Sequence, residues 1–314
     1  MSVPALRSAR STLTFETVFF CTGAILVILF TVLRLPTPPV GVQAAVLGIL
    51  VAVLGIPHGA LDPLIARRAG IWTSVRGFAL FNLGYVALVG LVVAVWLVAP
   101  TASLIVFLVV SGIHFGADWN TRHAIPLRTL TGFGLLTLPA FAHHADVSAI
   151  YGTLAGSGGM SVAAAQTWLG PFAIVAMLVG AVIALRTRPT DAVEIALAAT
   201  LALVAPPLVF FAVYFCALHS ARHLRTGFVA ERGAGGLRTV ITVVYTVVPV
   251  GASVILFAVL SGAAAGDVAA PSDLILRLVF IGLAALTVPH MVLVTIAERE
   301  RPRRTDTRAA AASA

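Results

Sequence analysis

Five of the eight histidines lie inside long apolar segments, and their number and spacing are typical of a metal site. The five are His58, His114, His219, His223 and His290. Ionisable residues are costly inside a membrane and are therefore candidates for function. Neutral imidazoles bind Zn, Cu, Fe and Ni, so the predicted chemistry is that of a bound transition metal.

The closest pair of these histidines is His219 and His223, in the segment His-Ser-Ala-Arg-His. Residues four apart on a helix share one face, with about 6 Å between their Cβ atoms, so both imidazoles can reach one cation. We predict that the metal is held by four histidines. These are His58, His114, His219 and His223. His290 is a candidate for a position around these ligands.

Two aspartates repeat the spacing of four, joining His58 to Asp62 and His114 to Asp118. A metal-bound imidazole commonly donates its second ring N–H to a carboxylate, which fixes its tautomer. We therefore interpret Asp62 and Asp118 as hydrogen-bond partners of the ligands. Direct ligation, or a position at a helix end, is the alternative.

The chain that must position these residues is a membrane protein by composition. Its 314 residues are 60% apolar and 10% charged, with a mean hydropathy of +1.04, against about 45–50% apolar and 25% charged in soluble domains. A helix that crosses the bilayer needs about 20 apolar residues. We predict an all-α, polytopic bundle of about ten transmembrane helices. Their limits are 13–33, 39–61, 75–98, 101–119, 127–144, 168–186, 191–205, 207–224, 239–262 and 274–297.

The arginines orient this bundle. All 20 basic residues are Arg, and with the N-terminus inside only Arg34 and Arg277 fall on the outer side. This follows the positive-inside rule and predicts cytoplasmic termini. It also argues against nucleic-acid binding, although the net charge is +8. We expect a multi-pass protein of the cell membrane.

The predicted domain organisation has three parts. Residues 1–12 form a cytoplasmic segment, 13–297 one catalytic transmembrane domain, and 298–314 a disordered Arg-rich tail near anionic headgroups. The Gly-, Ala- and Ser-rich residues 146–166 are expected to be a flexible connection or a short lid. Arg222 is expected to extend its guanidinium to the headgroups.

Orientation also places the histidines at a common depth. All five lie on even-numbered spans, which run from outside to inside, and each is near the cytoplasmic end of its span. Aromatic residues that precede His219 are candidates for packing or for the lining of a substrate channel. They are Phe210, Phe211, Tyr214 and Phe215.

Three classes of function fit these residues. A catalytic metal needs an open coordination position, which a closed structural zinc site lacks. Ferrous iron among apolar helices favours an O2-dependent enzyme that acts on a lipid or polyene, by hydroxylation, desaturation or oxidative cleavage. A two-metal hydroxylase or desaturase usually has more paired histidines than this chain. A transporter that relays protons or carries a metal through intramembrane His and Asp is the third class.

Four motifs resemble those of the Brp/Blh family of β-carotene 15,15′-dioxygenases. They are Pro-His-Gly-Ala-Leu-Asp at 57–62, His-Phe-Gly-Ala-Asp at 114–118, Tyr-Phe-Cys-Ala-Leu-His-Ser-Ala-Arg-His at 214–223 and Pro-His-Met at 289–291. The resemblance covers about residues 50–297. It implies an iron(II) (Fe2+) enzyme that uses O2 to split β-carotene into two molecules of all-trans-retinal, often for a microbial rhodopsin. It also implies that the iron ligands are His58, His114, His219 and His223.

Overall fold

The chain folds into helices. The structure is a computed structural model that describes residues 13–119, 125–263 and 270–312, without the side chains of His58, Ala263 and 298–312. Within these ranges every regular element is helical. In chain order the α-helices are α1 Phe15–Val32, α2 Val40–Leu50, α3 Ile56–Gly59, α4 Asp62–Ala69, α5 Val75–Val98, α6 Pro100–Gly116, α7 Ile125–Ala142, α8 His144–Thr187, α9 Pro189–Val204, α10 Pro207–Ala212, α11 Ala221–Ala230, α12 Gly235–Ala263 and α13 Pro271–Ala312. The predicted all-α class is confirmed.

Two π-helical segments interrupt this series. Val51–Gly55 joins α2 to α3, and Val213–Ser220 joins α10 to α11. In the first, the N–H of Ile56 bonds to the carbonyl of Val51, five residues back. Such segments are rare and occur frequently at functional sites. Here each lies in a span that carries a predicted ligand.

The outer surface of the bundle suits a bilayer. Among the described residues, six helical segments are long and apolar enough to cross it: Phe15–Val32, Val75–Val98, Ile125–Ala142, His144–Thr187, Arg232–Gly262 and Pro271–Ala297. Val40–Gly55 and Pro100–Gly116 are apolar but shorter. Along α5 and α12 most large apolar side chains are exposed, as lipid-facing residues are. The chain is a helical membrane protein, while ten spans and cytoplasmic termini stay predictions.

Residues 146–166 differ from the flexible connection that we expected. They belong to α8, which is interrupted only at Ala155 and Gly156. Gly156 has φ +61° and ψ −148°, a conformation essentially restricted to glycine. The expectation failed because small residues also let membrane helices pack closely.

Two other boundaries bear on the predictions. The sequence leaves open whether segments 191–205 and 207–224, which meet at Pro206-Pro207, are two helices or one bent helix. Between α9 and α10, Ala205 and Pro206 are extended (ψ 150° and 140°), so these are separate helices and not one kinked helix. The backbone of α13 is helical to Ala312, where we expected a disordered tail. Ala, Arg and Glu, which are strong helix formers, predominate there. Residues 1–12 and 313–314 lie outside the described residues, and the three-part division of the chain stays a prediction.

Close contact between α6 and α7 orients His114. A Cβ atom on Gly132 would lie 1.9 Å from the carbonyl oxygen of Gly112, and one on Gly116 would lie 2.2 Å from that of Arg128. These glycines thus allow the two backbones to touch. His114 is two residues from both Gly112 and Gly116, about 200° around the helix. It therefore points away from α7 and into the bundle.

Candidate metal centre

Three of the four predicted ligands meet inside the bundle. His114, His219 and His223 each offer a ring nitrogen, and these nitrogens lie within 4.8 Å of one another. The ring centroids are 4.7 Å apart for His114 and His219, and 4.6 Å apart for His219 and His223. His114 and His219 are buried, while the His223 side chain is 31% exposed. We call these three residues the histidine cluster.

The π-helical segment contributes to this geometry. His219 is its penultimate residue, and His223 lies in the first turn of α11. The segment also carries Tyr214 and Phe215, whose rings pack within 6.4 Å and 5.5 Å of the His219 ring. Aromatic contacts therefore surround His219 on its own helix.

Asp118 fixes the orientation of His219. Its carboxylate oxygens lie 2.9 and 3.0 Å from His219 Nδ1, and the hydroxyl of Tyr214 donates to it at 2.6 Å. A carboxylate only accepts, so Nδ1 of His219 is the protonated nitrogen and Nε2 carries the lone pair that binds metals. The Oδ1 atom of Asp118 also lies 3.4 Å from His223 Nε2. One buried carboxylate thus contacts two members of the cluster.

This pairing differs from the expected contact between His114 and Asp118. The helix α6 ends at Gly116, and the N–H of Asp118 bonds to the carbonyl of Phe115 in a turn. The spacing of four therefore does not bring Asp118 onto the face of His114. The carboxylate turns instead to His219, on another helix.

Asp62 behaves in the same way with His290. Its helix, α4, begins at Asp62 itself, after a turn that follows the end of α3 at Gly59. The Asp62 carboxylate lies 2.7 Å from His290 Nδ1 and accepts a 2.9 Å hydrogen bond from the hydroxyl of Tyr85. His290 is buried, with its ring centroid 5.5 Å from that of His114. Asp62 thus holds a fourth imidazole beside the cluster.

The His58 side chain lies outside the described residues. Its backbone is in α3, which contacts α11 and α13. These helices carry His223 and His290. The position of α3 is compatible with His58 as a further ligand, and that assignment stays a prediction.

Buried charges support the cluster from one side. The Glu194 carboxylate is buried and accepts hydrogen bonds from Arg222 at 2.7 Å, Thr17 at 2.6 Å and Trp119 at 3.2 Å. The other guanidinium nitrogen of Arg222 donates to the Asp118 carbonyl at 2.7 Å. Arg222 therefore does not extend to the headgroups as we expected. It joins α9 to the turn that carries Asp118.

Two large cavities adjoin the histidines. The first, of about 560 Å³, lies between α5, α12 and α13 and is mostly apolar. Its wall includes His290 and Tyr85. The second, of about 500 Å³, is lined by His114, His223 and His290 and by polar residues such as Arg128. Both volumes are in the range of about 300–1,000 Å³ that is usual for small-molecule sites.

The donor set fits a transition metal. His114 Nε2 is buried and has no hydrogen-bond partner among the described residues. A buried polar atom in this state costs free energy unless something binds it. With two more imidazoles beside it, a metal ion that prefers nitrogen ligands would satisfy this atom.

Fold and site define a helical membrane protein with a buried imidazole cluster that can hold a metal ion. The sequence model of the beta-carotene 15,15′-dioxygenase family matches residues 49–298, and the chain belongs to this family. The resemblance inferred from the four motifs is confirmed, and so is the predicted class of enzyme, an oxidoreductase of the dioxygenase type.

Two curated relatives agree with this assignment. A beta-carotene 15,15′-dioxygenase from uncultured marine bacterium 66A03 is 30% identical over 268 residues, which cover 78% of this chain and 90% of the relative. A probable beta-carotene 15,15′-dioxygenase Blh from Halobacterium salinarum is 29% identical over 201 residues, covering 55% and 58%. No solved structure matches the chain.

Proposed function

We propose that the protein cleaves the central 15,15′ double bond of β-carotene with O2. In this reaction the carbon–carbon double bond is lost, and each of its two carbons gains one oxygen atom as an aldehyde. Two molecules of all-trans-retinal result, and no other oxidant or reductant is needed. The observation that carries the proposal is the histidine cluster with His290 beside it in the wall of an apolar cavity, in a chain of this family.

The residues that would hold iron(II) are His114, His219 and His223, with His58 as the fourth ligand. When bound, iron(II) would supply the activation of O2. Asp118 would keep His219 in the tautomer whose Nε2 faces the metal, through its contact with Nδ1. Asp62 would hold the His290 ring at the edge of the cluster in the same way.

The apolar cavity would select and align the polyene. A hydrocarbon offers no polar group for orientation, so the shape of the walls must determine which double bond lies beside the cluster. Walls of helix-borne side chains such as Val86, Val248 and Leu286 also exclude water from the reaction. Substrate would arrive from the bilayer, because the outer faces of α5 and α12 are lipid-like.

The proposed setting is the cell membrane, with ten spans and both termini in the cytoplasm. The bias of the arginines supports this orientation. It would put the histidine cluster toward the cytoplasmic side. Retinal released there would be available to a microbial rhodopsin, the expected consumer of the product.

Expression in cells that accumulate β-carotene tests the proposal. Wild type should bleach the orange colour and yield retinal in extracts. His219→Ala should leave the pigment intact, because it removes a central member of the cluster. His144→Ala is the matched control, since His144 contacts Thr167 on another part of the bundle and should not affect bleaching. Correctly inserted wild type that leaves β-carotene intact would refute the proposal.

A further inference from the structure

The two large cavities meet at a single residue. Among the described residues, His290 is the only one that lines both the apolar cavity of about 560 Å³ and the second cavity of about 500 Å³, whose wall combines aliphatic residues such as Ile113 with polar ones such as Arg128. Two spaces of similar volume therefore meet at His290, whose ring centroid lies 5.5 Å from that of His114 in the histidine cluster.

One helix, α13, forms a wall of both cavities. Its lining residues in the apolar cavity are Leu283, Leu286, Thr287 and His290. In the second cavity they are His290, Met291, Val294, Thr295 and Ala297. The two sets extend seven residues before and after His290, which is about 10 Å in each direction. His290 thus lies at the midpoint of the lined face.

A symmetrical polyene that is cut at its centre needs comparable space on both sides of the reacting bond. We propose that the two cavities are half-sites for one carotenoid, each holding one half, with the central double bond at the level of His290. This inference rests on the proposed function and adds where the substrate lies. It assigns the choice of bond to the walls on either side of His290.

Two residues of α13 allow a symmetrical test. Leu286 and Val294 are each four residues from His290, so all three share one face of the helix, and each of the two lines a different cavity. Leu286→Trp fills the half-site in the apolar cavity, and Val294→Trp fills the half-site in the second cavity. Val292→Trp is the matched control, because Val292 is 48% exposed and lines neither cavity.

The first measurement is the binding of β-carotene to the iron-loaded full-length protein without O2. The change in the visible spectrum of the pigment reports this binding. Both half-site variants should weaken binding about tenfold or more, equivalent to about 1.4 kcal/mol. The second is the product of any remaining turnover in air. Because the polyene is displaced along α13, these variants should yield aldehydes of unequal length, whereas Val292→Trp should behave as wild type.

The outcomes separate this inference from the proposed function. If wild type forms retinal and either half-site variant equals Val292→Trp in binding and products, the half-sites are refuted and the function stands. If both variants lose binding but wild type forms no retinal in air, the function is refuted and the half-sites stand. Iron content and gel-filtration behaviour should equal those of wild type. A tryptophan variant that fails this check is replaced by Leu286→Phe or Val294→Phe, which are judged by the same outcomes.

Discussion

Replacing Asp118 by asparagine removes a negative charge beside the histidine cluster and keeps the size of the side chain. The Asp118 side chain is 0% exposed, and it accepts from His219 Nδ1 at 2.9 Å and from the Tyr214 hydroxyl at 2.6 Å. An asparagine has one acceptor oxygen where the carboxylate has two, and its NH2 group donates. In Asp118→Asn the NH2 group would therefore point at the Nδ1–H of His219, donor against donor, unless the His219 proton moved to Nε2.

The expected effect is on metal affinity. Loss of a hydrogen-bond partner of a ligating histidine typically costs about 10–100-fold in affinity or activity, which corresponds to about 1.4–2.7 kcal/mol. We place Asp118→Asn at the upper end, because this carboxylate also lies 3.4 Å from His223. Tyr214→Phe is the matched control. It removes one hydrogen bond and keeps the charge, so its effect should be smaller.

The assay is an anaerobic titration of the purified protein with iron(II) against a competing chelator of known affinity, followed by turnover of β-carotene. His219→Ala sets the level for complete loss of a ligand. If Asp118→Asn binds iron within about twofold of wild type while His219→Ala does not, the carboxylate does not orient the ligand. That result would refute the reasoning.

Three further perturbations test the support of the site. Gly132→Ala should lower the free energy of unfolding by about 1–3 kcal/mol, measured by thermal unfolding in detergent, because the new Cβ would collide with α6. Gly90 has open space around it, so Gly90→Ala should not lower the stability. Equal effects of the two substitutions would contradict the close contact between α6 and α7. Arg222→Ala should cost about 3–5 kcal/mol by leaving Glu194 buried without its cation; an unchanged unfolding midpoint would contradict this. His290→Gln should keep bound iron but lose turnover, because His290 lies beside the cluster and lines both cavities; loss of iron in metal analysis would instead make His290 a ligand.

Much of the fold was predictable because hydropathy reports directly on contact with lipid. Each of the ten apolar segments lies mostly in helical backbone, although 39–61 and 101–119 extend into the turns that follow α3 and α6. The prediction for segment 146–166 was wrong, because its Gly, Ala and Ser residues are typical both of flexible connections and of closely packed helices. Sequence alone does not separate these cases, since the helical state depends on contacts with distant neighbours.

The candidate site was predictable in part, by residue type and depth. His114 and His219 were both predicted near the cytoplasmic ends of their spans, and the structure brings them together. Their hydrogen-bond partners were not predictable. Asp118 is 101 residues from His219 in sequence, and Asp62 is 228 residues from His290. Spans that are apolar on most sides give no periodicity that identifies such contacts.

The turns after α3 and α6 explain why Asp62 and Asp118 contact histidines other than those that were predicted as their partners. A rule that pairs residues four apart assumes an unbroken helix. The helices that carry His58 and His114 end before Asp62 and Asp118, so the carboxylates turn to other partners. No motif in the sequence marked the Tyr85 hydroxyl or Glu194 as part of these networks. Tyr85 is identified only by its hydrogen bond to Asp62, and Glu194 only by its hydrogen bond from Arg222.

The π-helical segment Val213–Ser220 places residues that are five apart in sequence on one face of the helix. The backbone bonds of a π-helix run between residues five apart, whereas an α-helix turns by about 100° per residue, so residues five apart in an α-helix differ by about 140°. Tyr214 and His219 are five residues apart, and both contact Asp118. In an ordinary α-helix of the same length they would face different directions and could not share this carboxylate. During evolution this stretch can therefore exchange one apolar side chain for another only where the wider turn is kept.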